Sequence, residues 1–312
     1  IHKDNEGNYV TPVEVPCYEC PMSELPEDLK AEYYEFLRLQ GLAEIVGEEN
    51  IYYFGYDSFG DVIGETEKLH HFIHDVVLPQ TGAEQVRLCN ISLGGTIGVN
   101  YLETYPEDYF LIKRMLFVIP AIDGSDIIGD ILTNNLSIIH DDEMLYSKFL
   151  PSLLGKTPLA YFLNIVLRIL PKDVLKSALG GLAEGVVEAG VRSTTIIWAL
   201  CPTDYYEEAR EKWLADDEYA VVREKVDYYM QARANFGKNL YKLMENGSEV
   251  FDIVCYGGGM FPLCKDYNVT NGDGIVHSTS ASMGATFADV GKTLPDDYVA
   301  AGTYCNNPAH DH

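Results

Sequence analysis

The sequence predicts an α/β chain built on a mostly parallel sheet with helices on both faces and a helical insertion. Three observations carry this. Strand and helix signals alternate over residues 51–120, the arrangement of a parallel sheet. Residues 134–247 then turn helical with little strand signal. Strand signal returns at Val250–Tyr256, followed by Gly257-Gly258-Gly259. The expected organisation is a core of residues 1–133 and 248–312 and a helical cap of 134–247.

Residues 1–28 read as loop, with Asp4-Asn5-Glu6-Gly7-Asn8 as turn chemistry and prolines at 12, 16, 21 and 26. Asp4, Glu6 and Asn8 evoke a calcium loop, but its other ligands are missing. Glu27 to Leu42 reads as a helix stopped at Gly41, and Ile51 to Phe54 as a short strand. Leu69, Phe72, Ile73, Val76 and Val77 make one stripe of an amphipathic helix that starts near Glu65 and stops at Gly82. Val86 to Ile91 is the next strand, Thr96 to Tyr105 a helix halted by Pro106, and Met115 to Ile119 a buried-type strand closed by Pro120. Within the insertion, Pro158 to Pro171 is apolar on nearly all sides. It reads either as an ordinary buried helix, the preferred reading, or as a lid or acyl-chain groove.

Composition bounds the function. The 312 residues are 47% hydrophobic, with 12 Phe and 22 Tyr, which excludes a disordered chain. The net charge of −26 and the lack of any Lys/Arg-rich run argue against nucleic-acid and anionic-lipid partners and favour a small or neutral one. The longest apolar run is too short for a membrane span. Seven cysteines leave at least one unpaired, and Cys17-Tyr18-Glu19-Cys20 stands as a lone CxxC, better read as free thiols than as a redox or zinc site.

The chemistry concentrates at Ser92. A strand, then Asn90-Ile91-Ser92-Leu93-Gly94-Gly95, then a helix is the setting a nucleophile elbow requires. The tight turn lifts the hydroxyl clear of the backbone, and the Leu93 N–H points where an oxyanion would form. Gly94 meets the demand for a small residue two places on, whereas Asn90 stands where Gly is usual. A purely structural turn and a phosphate loop using Gly94, Gly95 and Gly98 are the competing readings; the second lacks the G-x-G spacing and the P-loop Lys.

Residues 51–125 resemble the lecithin:cholesterol acyltransferase-like branch of the α/β-hydrolase superfamily. The resemblance rests on Phe54-Gly55-Tyr56-Asp57, the elbow Ser92, Tyr101-Leu102-Glu103, and Pro120 with Gly124-Ser125, in that order. The family's Trp-Arg after Tyr-Asp is replaced by Ser58-Phe59. Ser193 to Tyr206, with Trp198 and Pro202, is weakly similar to the family's cap. The resemblance implies an α/β-hydrolase fold and a serine esterase, lipase or acyltransferase without a cofactor or metal, acting on a small-molecule ester or lipid.

An activated serine needs a histidine base and an orienting carboxylate, in chain order Ser, acid, His. By resemblance to the family's Gly-Asp-Gly-Thr-Val segment the acid is Asp273, in Gly272-Asp273-Gly274-Ile275-Val276; Asp252 and Asp266 are lesser candidates. For the base, His310, His312 and His277 are candidates, as is a histidine outside the segment. The absence of an apolar strand before residue 51 and of a clear one after 285 suggests a fragment lacking its first strands and its last. His70, His71, His74 and His140 are expected in solvated or capping roles. The alternative to an enzyme is a non-catalytic binding protein on the same fold.

Overall fold

The computed structural model describes residues 2–294 except Arg38 and Lys156. Its centre is a parallel sheet of three strands in the order β1 (Val86–Ile91), β2 (Ile112–Val118) and β3 (Glu249–Ile253). Ile91 is in register with Val118, and Val118 with Ile253, so the three carboxyl ends lie level. A second sheet pairs β4 (Gly258–Gly259) with β5 (Asn271–Gly272), antiparallel.

Before β1 come α1 (Glu27–Leu37), α2 (Gln40–Val46) and α3 (Val62–His71). The Asp61 carboxylate caps α3 by accepting from the Ile63 N–H. This helix runs on through a π turn at Phe72–Val77 into α4 (Leu78–Thr81), which ends at Gly82 with φ +66°. Two expectations fail here. Gly41 lies inside α2 and ends nothing; α1 ends at Leu37, and α2 ends at Val46 with Gly47 as its C-cap. Ile51–Phe54 forms no strand, and Tyr52 makes only an isolated bridge to Pro21. The aromatic side chains instead pack at a tilt on rings elsewhere, Tyr53 on Tyr33 and Phe54 on Phe72.

The elbow helix α5 (Gly94–Thr104) joins β1 to β2. Every element between β2 and β3 is helical: α6 (Asp126–Thr133), α7 (Ser137–His140), α8 (Asp142–Met144), α9 (Leu150–Leu154), α10 (Pro158–Ile169), α11 (Lys172–Val186), α12 (Thr195–Trp198), α13 (Thr203–Leu214) and α14 (Ala220–Glu245). A short α15 (Ser278–Ala281) follows β5.

The main core lies on one face of the sheet. Val86, Met115 and Phe117 meet Leu69 and Ile73 of the α3 region, Ile97 and Leu102 of α5, and Tyr229, Phe236 and Leu240 of α14. Burying side chains of this size stabilises by about 1.5–3 kcal/mol each. The opposite face carries exposed Arg87, Cys89, Phe251 and Ile253. Among the described residues, then, the packed helices cover one face of the sheet rather than the two expected. Trp198, Trp213 and Leu214 anchor a second core with Leu132 and Val222, and Leu145, Leu150 and Leu175 a third.

The segment α10 is not a buried helix. Leu159, Phe162, Ile165 and Ile169 are each more than half exposed, as are Val174 and Leu182 of α11. No helix among the described residues is long and apolar enough to cross a membrane.

Candidate functional site

At the carboxyl end of β1 the chain reverses sharply into α5. Ser92 sits at the reversal with φ +50°, a left-handed conformation that costs a non-glycine residue about 1–3 kcal/mol. Its N–H donates to Val118 O at 3.0 Å, and its carbonyl accepts from Gly95 N (2.9 Å) and Ala121 N (3.2 Å). The backbone is thus pinned on three sides while the side chain stays partly open. Leu93 follows in right-handed helical geometry as the N-cap of α5. Among the described residues no backbone acceptor takes its N–H, which therefore keeps the donor capacity of a helix N-terminus.

The glycines play different parts from those the motif suggests. A Cβ at Gly94 would meet nothing closer than the Tyr56 hydroxyl at 3.8 Å, ordinary contact. A Cβ at Gly95 would come 2.8 Å from Pro120 Cβ, so Gly95 is the position at which the turn must stay small. Asn90, the departure from the usual glycine, is buried and accommodated from across the turn. Its Nδ2 donates to Leu116 O at 3.4 Å, and its Oδ1 fills the space that a Cβ at Gly98 would need.

Asp273 is exposed and closes its own turn, Oδ1 accepting from Ile275 N and Val276 N at 2.8 Å. That turn is tied to the elbow through the loop after β2. Ser125 Oγ donates to Ile275 O at 2.5 Å, Ser280 Oγ to Gly124 O at 2.8 Å, and Val276 packs on Ala121, the residue that holds the Ser92 carbonyl. No hydrogen bond joins Ser92, Asp273 and a histidine among the described residues. His277 turns to Asp126 instead, 3.5 Å away, and burial pushes the Asp126 carboxyl up. His310 and His312 lie outside the described residues. Asp266 is exposed, and Asp252 lies on β3 with its carboxyl pushed up by burial, though water reaches much of the residue and moderates that shift.

A cavity of about 500 Å³ opens beyond the end of β2. Ile122, Asp123, Tyr206, Met230, Arg233 and Met283 line it; Ser92 does not. Arg233 is buried there and donates to the Ala199 and Cys201 carbonyls and to Asp123 at 3.3 Å. Cavities at the carboxyl ends of parallel strands are the common ligand position in such sheets.

Burial raises the thiols of Cys17 and Cys20 above the ordinary value, and both are free, so the CxxC presents no activated thiolate.

Sequence reasoning missed one constellation. His70 Nδ1 and His74 Nε2 each lie 3.0 Å from Asp108 Oδ2, which also accepts from the Tyr101 hydroxyl at 2.5 Å. The signal was present in His70-x-x-x-His74 on a helix, a spacing that puts both rings on one face. The third member, 34 residues beyond His74, has no motif to announce it.

No family model matches the chain, and comparison with curated proteins and with solved structures returned no match.

Proposed function

We propose that the chain is a serine-dependent acyl-ester hydrolase or O-acyltransferase of the α/β-hydrolase type, related to the lecithin:cholesterol acyltransferase-like branch and acting on lipid-like or other apolar esters. The observation that carries this reading is Ser92 at φ +50° between a strand of the parallel sheet, β1, and a helix whose Leu93 N–H has no backbone acceptor among the described residues. Strain at one side chain, beside a donor in reserve, serves a nucleophile and its oxyanion.

Ser92 attacks the ester carbonyl. A histidine, His310 in this reading, takes the hydroxyl proton and then delivers it to the departing alcohol. Asp273 orients that histidine, and the Leu93 N–H stabilises the tetrahedral oxyanion. Water or a second alcohol then releases the acyl group. Asp273 can keep its turn while doing this, because only Oδ1 is engaged and Oδ2 remains to face a histidine.

Two features support a lipid-like substrate. Large apolar side chains are exposed on α10 (Leu159, Phe162, Ile165, Ile169) and on α11 (Val174, Leu182). Residues 145–183 also hold five basic residues, Lys148, Lys156, Arg168, Lys172 and Lys176, against one acidic residue, Asp173, in a chain of net charge −26. An exposed apolar helix with basic flanks suits a lipid surface. The cap in this reading is residues 134–247, of which α14 also packs into the main core through Tyr229, Phe236 and Leu240.

The test is labelling by a fluorophosphonate, which captures activated serines. The expected result is one label per chain, lost in Ser92→Ala and slowed in His310→Ala. Absence of labelling in folded protein overturns the reading and favours a non-catalytic protein on the same fold. One observation leans that way: His277, the histidine nearest Asp273 in sequence, pairs with Asp126.

A further inference from the structure

We propose that His70, His74 and Asp108 form a binding site for one divalent transition-metal ion of the zinc type, independent of the acyl chemistry. Three donor atoms, His70 Nδ1, His74 Nε2 and Asp108 Oδ2, lie within 4.8 Å of one another. Two nitrogens and one carboxylate oxygen suit zinc among the common divalent ions.

The distances fit. Donors at about 2.0–2.1 Å from a tetrahedral zinc stand about 3.3 Å apart. Each imidazole nitrogen here stands 3.0 Å from Asp108 Oδ2. Both nitrogen–oxygen separations reach the zinc value with a shift of a few tenths of an ångström, and the two nitrogens lie within 4.8 Å of each other. With no ion bound, ring N–H groups hydrogen-bond to the carboxylate. With one bound, the ring protons occupy His70 Nε2 and His74 Nδ1, leaving the facing nitrogens as ligands.

The local structure aims these groups. The π turn at Phe72–Val77 begins two residues after His70. Its wider winding brings residues four apart closer to alignment than an α-helix does. The two rings are 4.3 Å apart at their centroids. Tyr105 stacks on His70 at 4.0 Å and 9°, which fixes that ring. Tyr101 holds the carboxylate through its hydroxyl, the outer support that metal-binding carboxylates ordinarily have.

Charge points the same way. The Asp108 side chain is 4% exposed, and among the described residues no lysine or arginine pairs with it. A buried carboxylate facing two imidazoles and a phenol lacks a permanent counter-charge, which a divalent cation supplies. The His70 and His74 side chains are 23% and 34% exposed, so water can complete the coordination shell and the ion has a path in. A bound ion would clamp the α3 region to the Pro106–Leu111 turn and, through Tyr101, to α5. Its effect is therefore on stability.

The experiment is titration of chelator-treated full chain with zinc chloride by calorimetry, with thermal melts alongside. A Cys17→Ser/Cys20→Ser background removes the CxxC as a rival site. The expected result is one zinc per chain, a raised Tm, and affinity at least about 100-fold weaker in His74→Gln and Asp108→Asn. Circular dichroism confirms that each variant is folded, and His74→Gln decides if Asp108→Asn unfolds. No saturable binding, binding unchanged in His74→Gln, or a thiolate-to-metal absorption band on cobalt substitution would each overturn the proposal. The cluster would then only be solvating a buried carboxylate.

Discussion

Ser92 and Ile119 stand side by side at the carboxyl ends of β1 and β2, one residue beyond the registered pair Ile91 and Val118, and both have positive φ. A β-branched residue at φ +43° is a rarer outlier than a serine at +50°. Three bonds hold this pair: Ser92 N to Val118 O, Ile119 N to Ile253 O at 2.8 Å, and Ala121 N to Ser92 O. Neighbouring strands thus both reverse under strain where the proposed nucleophile sits.

Ser92→Gly removes the left-handed penalty at the cost of the hydroxyl. Thermal denaturation should show a gain of about 1 kcal/mol, while phosphonate labelling disappears. Ser92→Ala keeps the Cβ and should lose labelling without that gain. Equal stability of the two variants would show that the turn stores no strain at this residue.

Asn90 and Gly98 form a matched pair. A Cβ at 98 would come 2.7 Å from Asn90 Oδ1 and 3.0 Å from the flexible end of Met115. Gly98→Ala alone should cost about 1–3 kcal/mol by overpacking. Combined with Asn90→Gly, most of that cost should vanish, and a double-mutant cycle reads the coupling directly. Additive losses would mean that Asn90 is not what Gly98 accommodates.

Asp130 on α6 is almost wholly buried, and burial pushes its carboxyl from 3.8 up to about 6 even though it accepts from the Lys265 N–H. Below about pH 4 the folded and unfolded chains both keep this proton. Between about pH 4 and 6 the unfolded chain releases it first, so stability falls as pH rises; above that the loss is constant, on the order of 2–3 kcal/mol. Asp130→Asn should therefore raise the Tm at pH 7.5 and leave it unchanged near pH 4. A gain of equal size at both values would assign the effect to something other than ionisation.

The exposed face of α10 can be tested by sedimentation with vesicles. The chain should pellet with vesicles containing phosphatidylserine, and Phe162→Asp with Ile169→Asp should abolish this while leaving the melting curve within about 0.5 kcal/mol of the parent. Retained binding in the double variant would remove α10 as the contact.

Periodicity and punctuation made β1, α5 and β2 legible, because Val86–Ile91 and Met115–Val118 alternate or run apolar between strong turn residues. The same logic failed at Ile51–Phe54. The three aromatic residues there pack on Tyr33, Phe72 and Tyr56, Ile51 packs with Met22 and Leu25, and none of the four enters the sheet. Gly41 misled for a different reason: a helix-breaking cost of about 1 kcal/mol disfavours a helix without forbidding one, and α2 runs straight through it. At the site, Ser92 was readable from its neighbours in sequence, but the support of Asn90 by Gly98 joins a strand to a helix and emerges only in three dimensions. The His70–Asp108–His74 cluster was hidden likewise, since Asp108 has no local pattern and acquires its setting from a turn packed on α3.

The uneven distribution of basic residues has a consequence of its own. A strongly acidic body bearing a helical arm close to neutral (three basic and two acidic residues in α10 and α11) is an electric dipole, so an anionic surface exerts a torque on the molecule before any atom touches. The body is turned away and α10 and α11 are swung forward. Within a Debye length, about 8 Å in physiological salt, orientation is settled by field rather than by collision. Added salt should then slow capture while leaving the escape rate, governed by the apolar face, nearly as it was.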